Sequence, residues 1–146
     1  KIPVTNSKGV FMGKIIKELN NENIKLNITA VYDAKQVKSI LQCINKESKV
    51  IISIFVGRLA DSGKDPLPEI KKSILLAKRF KNVKILWASV RETYNYLQAK
   101  KIGCHIITMP PSLIDKVAKF GKSYKQLGIE TIKNFLLDSK KSKFKL

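Results

Sequence analysis

Five short apolar runs alternate with longer amphipathic segments along this chain, and that rhythm limits the possible fold more than any other feature. The runs read as strands at Lys1 to Val4, Leu26 to Val31, Val50 to Phe55, Lys84 to Ala88 and His105 to Met109. Between them the spacing predicts helices over Ser7 to Leu19, from a cap at Asp33 to Ile44, over Pro68 to Phe80, and over Glu92 to Lys101, the last closed by Gly103. Ser112 with Asp115 predicts a capping box for a helix to Phe120, and a final helix is expected over Ile129 to Asp138. Strand–helix units repeated five times demand a parallel sheet, because each helix carries the chain back to the end where the strand began. The central run is β-branched at Val50, Ile51, Ile52, Ile54 and Val56, and it reads as a strand buried on both faces. Two architectures fit: a complete doubly wound sheet, or part of an eight-stranded barrel, since a whole barrel needs about 200 residues or more. Periodicity does not choose between them.

The central run stops at Gly57-Arg58 and passes into a polar loop, and the fourth run ends at Arg91. Only three arginines occur among the 29 basic residues, so two at strand ends is a specific signal in a chain that otherwise uses lysine. Ligands of open α/β sheets and barrels bind at the carboxyl ends of the strands. Two guanidiniums there give bidentate, charge-assisted hydrogen bonds to a phosphate, a geometry that lysine does not reproduce. Asp61 and Asp65 follow Arg58 in the loop and are expected to order it rather than to act in catalysis. His105 opens its strand at the opposite end and is expected to be structural.

Composition narrows the function classes. The 146 residues suit one domain, 1–146, with a basic tail over about 139–146. The net charge of +18 raises the question of nucleic acid, yet the lysines are spread over every predicted helix rather than gathered in a stripe. Nucleic acid is therefore not the expected partner. No apolar run approaches the length of a membrane span, and no signal-peptide pattern is present. Cys43 and Cys104 lack metal or redox spacing and suit a reducing cytoplasm. Neither a dinucleotide fingerprint nor a Walker motif occurs.

Ser53-Ile-Phe-Val-Gly-Arg58, Ala88-Ser-Val-Arg91 and Ile107-Thr-Met-Pro-Pro111 resemble the last three strands of the transaldolase family, which includes the fructose-6-phosphate aldolase-like proteins. Leu26-Asn-Ile-Thr-Ala-Val31 resembles the strand before them, and Lys1-Ile-Pro-Val-Thr5 the one before that. Each motif alone is weak, but five in register cover essentially the whole chain. The resemblance implies an α/β fold, a partial TIM (β/α)8 barrel corresponding to strands four to eight with their helices. It implies that Lys1 forms a Schiff base with a ketose phosphate, which needs a neutral, largely desolvated amine. By the same resemblance Asn27 holds a substrate hydroxyl, Thr29 helps position the catalytic water, and Ser53 contacts substrate. Arg58, Ser89 and Arg91 match the family's phosphate clamp. Phe55 stands where the aldolases of the family tend to carry Tyr, which points to transfer of a dihydroxyacetone unit rather than simple cleavage.

No metal and no organic cofactor is implied, because the Schiff base is itself the electron sink. The expected partners are sugar phosphates, the three missing amino-terminal strands or further copies of the chain, and no membrane. The family's acid–base carboxylates lie in the first three strands, so this chain is expected to be a fragment or half of a split barrel, slow in proton transfer. Two other readings are a fructose-6-phosphate aldolase-like lyase, and a basic phosphate- or nucleic-acid-binding module without catalysis.

Overall fold

The computed structural model describes residues 1–142. Five strands form one parallel sheet in sequence order: β1 (Ile2–Pro3), β2 (Leu26–Val31), β3 (Val50–Ile54), β4 (Val83–Trp87) and β5 (Ile106–Ile107). A doubly wound sheet reverses its strand order at a switch point. This one does not, so its winding is compatible with part of a barrel and unlike the doubly wound alternative. Within the described residues β1 pairs only with β2 and β5 only with β4, which leaves two free edges.

The helices are α1 (Gly13–Asn21), α2 (Ala34–Leu41), α3 (Val56–Asp61), α4 (Leu67–Ala77), α5 (Tyr94–Lys101), α6 (Pro111–Val117) and α7 (Tyr124–Ser142). Ile28, Ile52 and Ile85 lie side by side across β2, β3 and β4, each fully buried. They join Ile16 of α1, Val37 and Ile40 of α2, Ile70 and Ile74 of α4 and Ala99 of α5 in one apolar cluster. Burying each such isoleucine contributes roughly 1.5–3 kcal/mol. The other face carries Pro3, Asn27, Thr29, Ile51 and Lys84, which are exposed or half-buried. The central strand β3 is buried as expected at every position except the half-buried Ile51, whereas on that face Asn27 and Thr29 of β2 are only half-buried and Lys84 of β4 is exposed. Helices cover one face, and the alternate residues meet no second layer among the described residues, although Ser53 at 3% exposure and Leu86 at 7% are shielded by their neighbours.

Several local expectations hold for the stated reasons. Asp33 caps α2, its Oδ1 accepting the Gln36 N–H at 2.7 Å, while Gln36 Oε1 accepts from Tyr32 N–H at 2.8 Å. Pro68 sits in the first turn of α4, and Gly103 ends α5 with φ +68°. His105 is structural: its Nδ1 accepts the Ile85 N–H at 3.0 Å, which ties β4 to the start of β5. Burial and then the nearby Lys84 push the imidazole pKa down, in keeping with a neutral acceptor. Asparagines tie the same amino-end rim, with Asn82 Nδ2 donating to the carbonyls of Asn45 and Ser48 at 2.9 and 2.7 Å.

Others are corrected. The first helix starts at Gly13, not Ser7, because Asn6 builds a turn instead: its Oδ1 accepts from Lys8 N–H and Val10 N–H at 2.9 and 3.0 Å. The polar loop expected after Gly57 begins as α3, since the Phe55 carbonyl accepts the Leu59 N–H at 3.0 Å and Val56 turns inward. The last strand shrinks to Ile106–Ile107. Ser112 and Asp115 make no capping box, because α6 starts on Pro111, two residues before the start that a Ser112 cap implies, with Pro110 before it. The capping box falls at Ser123 and Gln126, so α7 starts at Tyr124 rather than Ile129. Lys140 and Lys141 of the expected basic tail are helical, and the remainder of that tail lies outside the described residues. No helix among the described residues is long and apolar enough to cross a membrane.

Candidate functional site

The open face carries the polar strand residues. Asn27 and Thr29 alternate with the buried Leu26 and Ile28, so both point away from the helices. The Ser53 hydroxyl donates to Asn27 Oδ1 at 2.8 Å, which links β3 to β2 on that face. After Ile28 the pairing with β3 slips, and Ala30 takes a left-handed φ of +58°. Such bulges re-aim side chains beside functional sites. Beside this bulge the Thr29 hydroxyl is buried and has no hydrogen-bond partner in the protein. Pro3 pairs with Thr29 and Ile2 with Ile28, which sets Lys1, one residue earlier, at the level of Asn27. Lys1 is exposed, so the desolvation expected of a nucleophilic amine is not provided by the described residues.

The rim at the carboxyl ends of β3 and β4 holds the arginines. Gly57 makes this rim possible. A Cβ there would stand 1.5 Å from the Ser89 carbonyl oxygen, so only glycine lets α3 start against the end of β4. Ser89 turns the chain with φ +66°, another strained position at the rim. Arg58, on α3 rather than in a loop, lies over the Phe55 ring at 4.8 Å, and Phe55 meets Tyr32 edge-on at 5.9 Å. Arg91 is engaged by Asp61: its Nε donates to Oδ2 at 2.9 Å and its Nη2 to the same oxygen at 2.5 Å. Hydrogen bonding from Arg91 holds the Asp61 carboxyl below the usual carboxylate range, with Arg58 adding a smaller pull, and the same bond raises Arg91.

The fold therefore gathers the expected residues into two adjoining groups. Lys1, Asn27, Thr29 and Ser53 share the open face, while Phe55, Arg58, Ser89 and Arg91 share the rim. The ion pair of Arg91 with Asp61 gives Asp61 a defined partner, where the sequence indicated only an ordering role. Gly57 and Tyr32 were missed, although a glycine directly before an arginine at a strand end was a readable signal for close backbone approach. Cys43 and Cys104 are free, and burial pushes both thiols up, away from thiolate chemistry. Among the described residues no three His, Cys, Asp or Glu side chains group as metal ligands. A cavity of about 640 Å³ lies elsewhere, between α4 and α5, and none of the expected site residues lines it.

A parallel sheet wound in one direction, with helices on one face, polar residues on the other and two arginines near its carboxyl rim, is an α/β scaffold compatible with part of a barrel. The chain belongs to the transaldolase/fructose-6-phosphate aldolase family, whose model matches residues 1–146. It is 34% identical over 132 residues to a probable transaldolase of Nitrosopumilus maritimus, covering 89% of this chain and 55% of that protein. It is 32% identical over 143 residues to a probable transaldolase of Caldicellulosiruptor saccharolyticus, covering 97% of this chain and 60% of the relative. A probable transaldolase of Myxococcus xanthus is 33% identical over 143 residues, with 97% and 58% covered. The chain thus spans between half and two thirds of the length of these relatives.

Proposed function

We propose that this chain forms the Schiff-base and phosphate-binding portion of a transaldolase-type site, corresponding to strands four to eight of a (β/α)8 barrel. The observation that carries the reading is that Lys1, Asn27, Thr29 and Ser53 lie on the open face of the sheet, while Phe55, Arg58, Ser89 and Arg91 follow the carboxyl ends of β3 and β4. The Lys1 amine adds to the C2 carbonyl of a ketose phosphate and loses water to give an iminium. Cleavage of the C3–C4 bond releases an aldose phosphate, and its electron pair is taken up as an enamine on the lysine. Addition of that enamine to a second aldose phosphate, followed by hydrolysis, frees the amine. Asn27, tied to Ser53, holds a substrate hydroxyl, and the unpartnered Thr29 hydroxyl is free to hold the hydrolytic water. The upstream strands would cover the open face and desolvate Lys1. Phe55 supports a transferase over a lyase: its ring packs against Arg58 and presents no phenolic hydroxyl to the reaction.

Arg58, Ser89 and Arg91 bind the phosphate in this reading, and substitution of the arginines tests it. Both side chains are exposed, so the loss should fall at the lower end of the roughly 1.5–3 kcal/mol of a charged hydrogen bond. Arg58→Lys and Arg91→Lys are each expected to weaken inorganic phosphate and fructose 6-phosphate about tenfold, with unphosphorylated fructose unaffected. Equal phosphate affinity in wild type and both variants, by calorimetry, contradicts the clamp.

A further inference from the structure

We infer that Asp61 is a positioning residue that presents the Arg91 guanidinium to the substrate anion, an inference that rests on the phosphate-clamp reading above. A guanidinium has five N–H donors in a planar fork. Asp61 approaches from the side, with Nε 3.1 and 2.9 Å from its two carboxylate oxygens and Nη2 2.5 Å from one of them. The end-on pair, one N–H from each terminal nitrogen, is left unclaimed by that contact, and it can still meet a phosphate bidentately. An anion mimic competing for the substrate site would instead be expected end-on.

The surroundings hold Arg91 from the backbone outwards. Its N–H donates to Asn95 Oδ1 at 3.1 Å, and its Cγ lies 3.2 Å from the point a Gly57 Cβ would occupy, so the stem runs along the bare glycine. Asp61 then fixes the head of a side chain that is still 48% exposed. Arg58 sits three residues before Asp61 on α3, so the same carboxylate lies in the field of both rim arginines. Two cations and one anion leave the rim net positive and still attractive to a phosphate dianion. What Asp61 contributes is orientation: without it, the long Arg91 side chain must be ordered at the moment of binding.

Two variants of the full chain separate orientation from charge. Asp61→Asn and Asp61→Ala both remove the negative charge, but only Asn keeps an acceptor for the Nε and Nη2 protons. Inorganic phosphate titrated by NMR, with the Arg91 Nε–H resonance as reporter, is expected to bind Asp61→Ala about two- to tenfold more weakly than Asp61→Asn, the cost of ordering one such side chain. The Nε–H resonance should remain resolved in wild type and Asp61→Asn and broaden in Asp61→Ala, with melting temperature unchanged. Equal affinity in the two variants, or tighter binding to Asp61→Ala, overturns the positioning role while a weakened Arg91→Lys leaves the clamp standing. Wild-type affinity in Arg91→Lys overturns the clamp reading and this inference with it.

Discussion

Gly57→Ala is expected to destabilise the chain by roughly 3 kcal/mol, at the upper end of what overpacking costs, and to abolish anion binding at the rim. The reason is geometric. The added Cβ would lie 1.5 Å from the Ser89 carbonyl oxygen and 2.7 Å from its carbonyl carbon. Those are backbone atoms, so no rotamer change relieves the overlap. Either α3 lifts away from the end of β4 or the turn at Ser89 moves, and both displace Arg58 relative to Arg91. Part of that turn is already strained, since Ser89 is a non-glycine residue at φ +66°. Urea denaturation and phosphate titration of the variant check this. A wild-type midpoint together with wild-type phosphate affinity would show that the rim does not depend on the contact.

The second large effect concerns turnover. The relatives extend well beyond the matched region, and the sheet has free edges on β1 and β5 among the described residues. Unpaired parallel edges template association with other chains. The chain by itself is therefore expected to self-associate in sedimentation. It is also expected to turn over sugar phosphates about 10²- to 10⁴-fold more slowly than a barrel that includes the upstream strands, the usual worth of general acid–base groups. Supplying a three-strand segment from one of the relatives should restore both a monomeric sheet and activity in a coupled transaldolase assay. A monodisperse monomer with undiminished turnover would mean that the open face needs no covering.

Much of this was legible in the residues, and the exceptions have physical causes. Strand positions were readable because each run is short, β-branched and bounded by turn residues. Strand order was not, since periodicity reports which face is buried but not which neighbour lies alongside. For β3 the burial on both faces was legible, and Ile51 alone is half-buried, because hydrophobicity does not show how closely a neighbour covers it. Helix starts failed where a side chain outcompeted periodicity: Asn6 holds the Lys8 and Val10 N–H groups in a turn before Gly13, and Ser123 supplied a cap that Ser112 did not. The arginines were legible as rare residues at strand ends. Their partners were not, because the Asp61–Arg91 pair spans 30 residues and depends on α3 forming where a loop was expected.

Borohydride reduction of the chain completed by the upstream strands, in the presence of fructose 6-phosphate, tests the central claim most directly. Reduction converts a transient iminium into a stable secondary amine, so the labelled position identifies the nucleophile. Peptide mapping by mass spectrometry locates the adduct on the Lys1 ε-amine or on another lysine. The account predicts a single adduct on the ε-amine, absent in Lys1→Met and diminished by inorganic phosphate competing at Arg58 and Arg91. An adduct confined to any other lysine, or none at fructose 6-phosphate concentrations that saturate the rim, would contradict it.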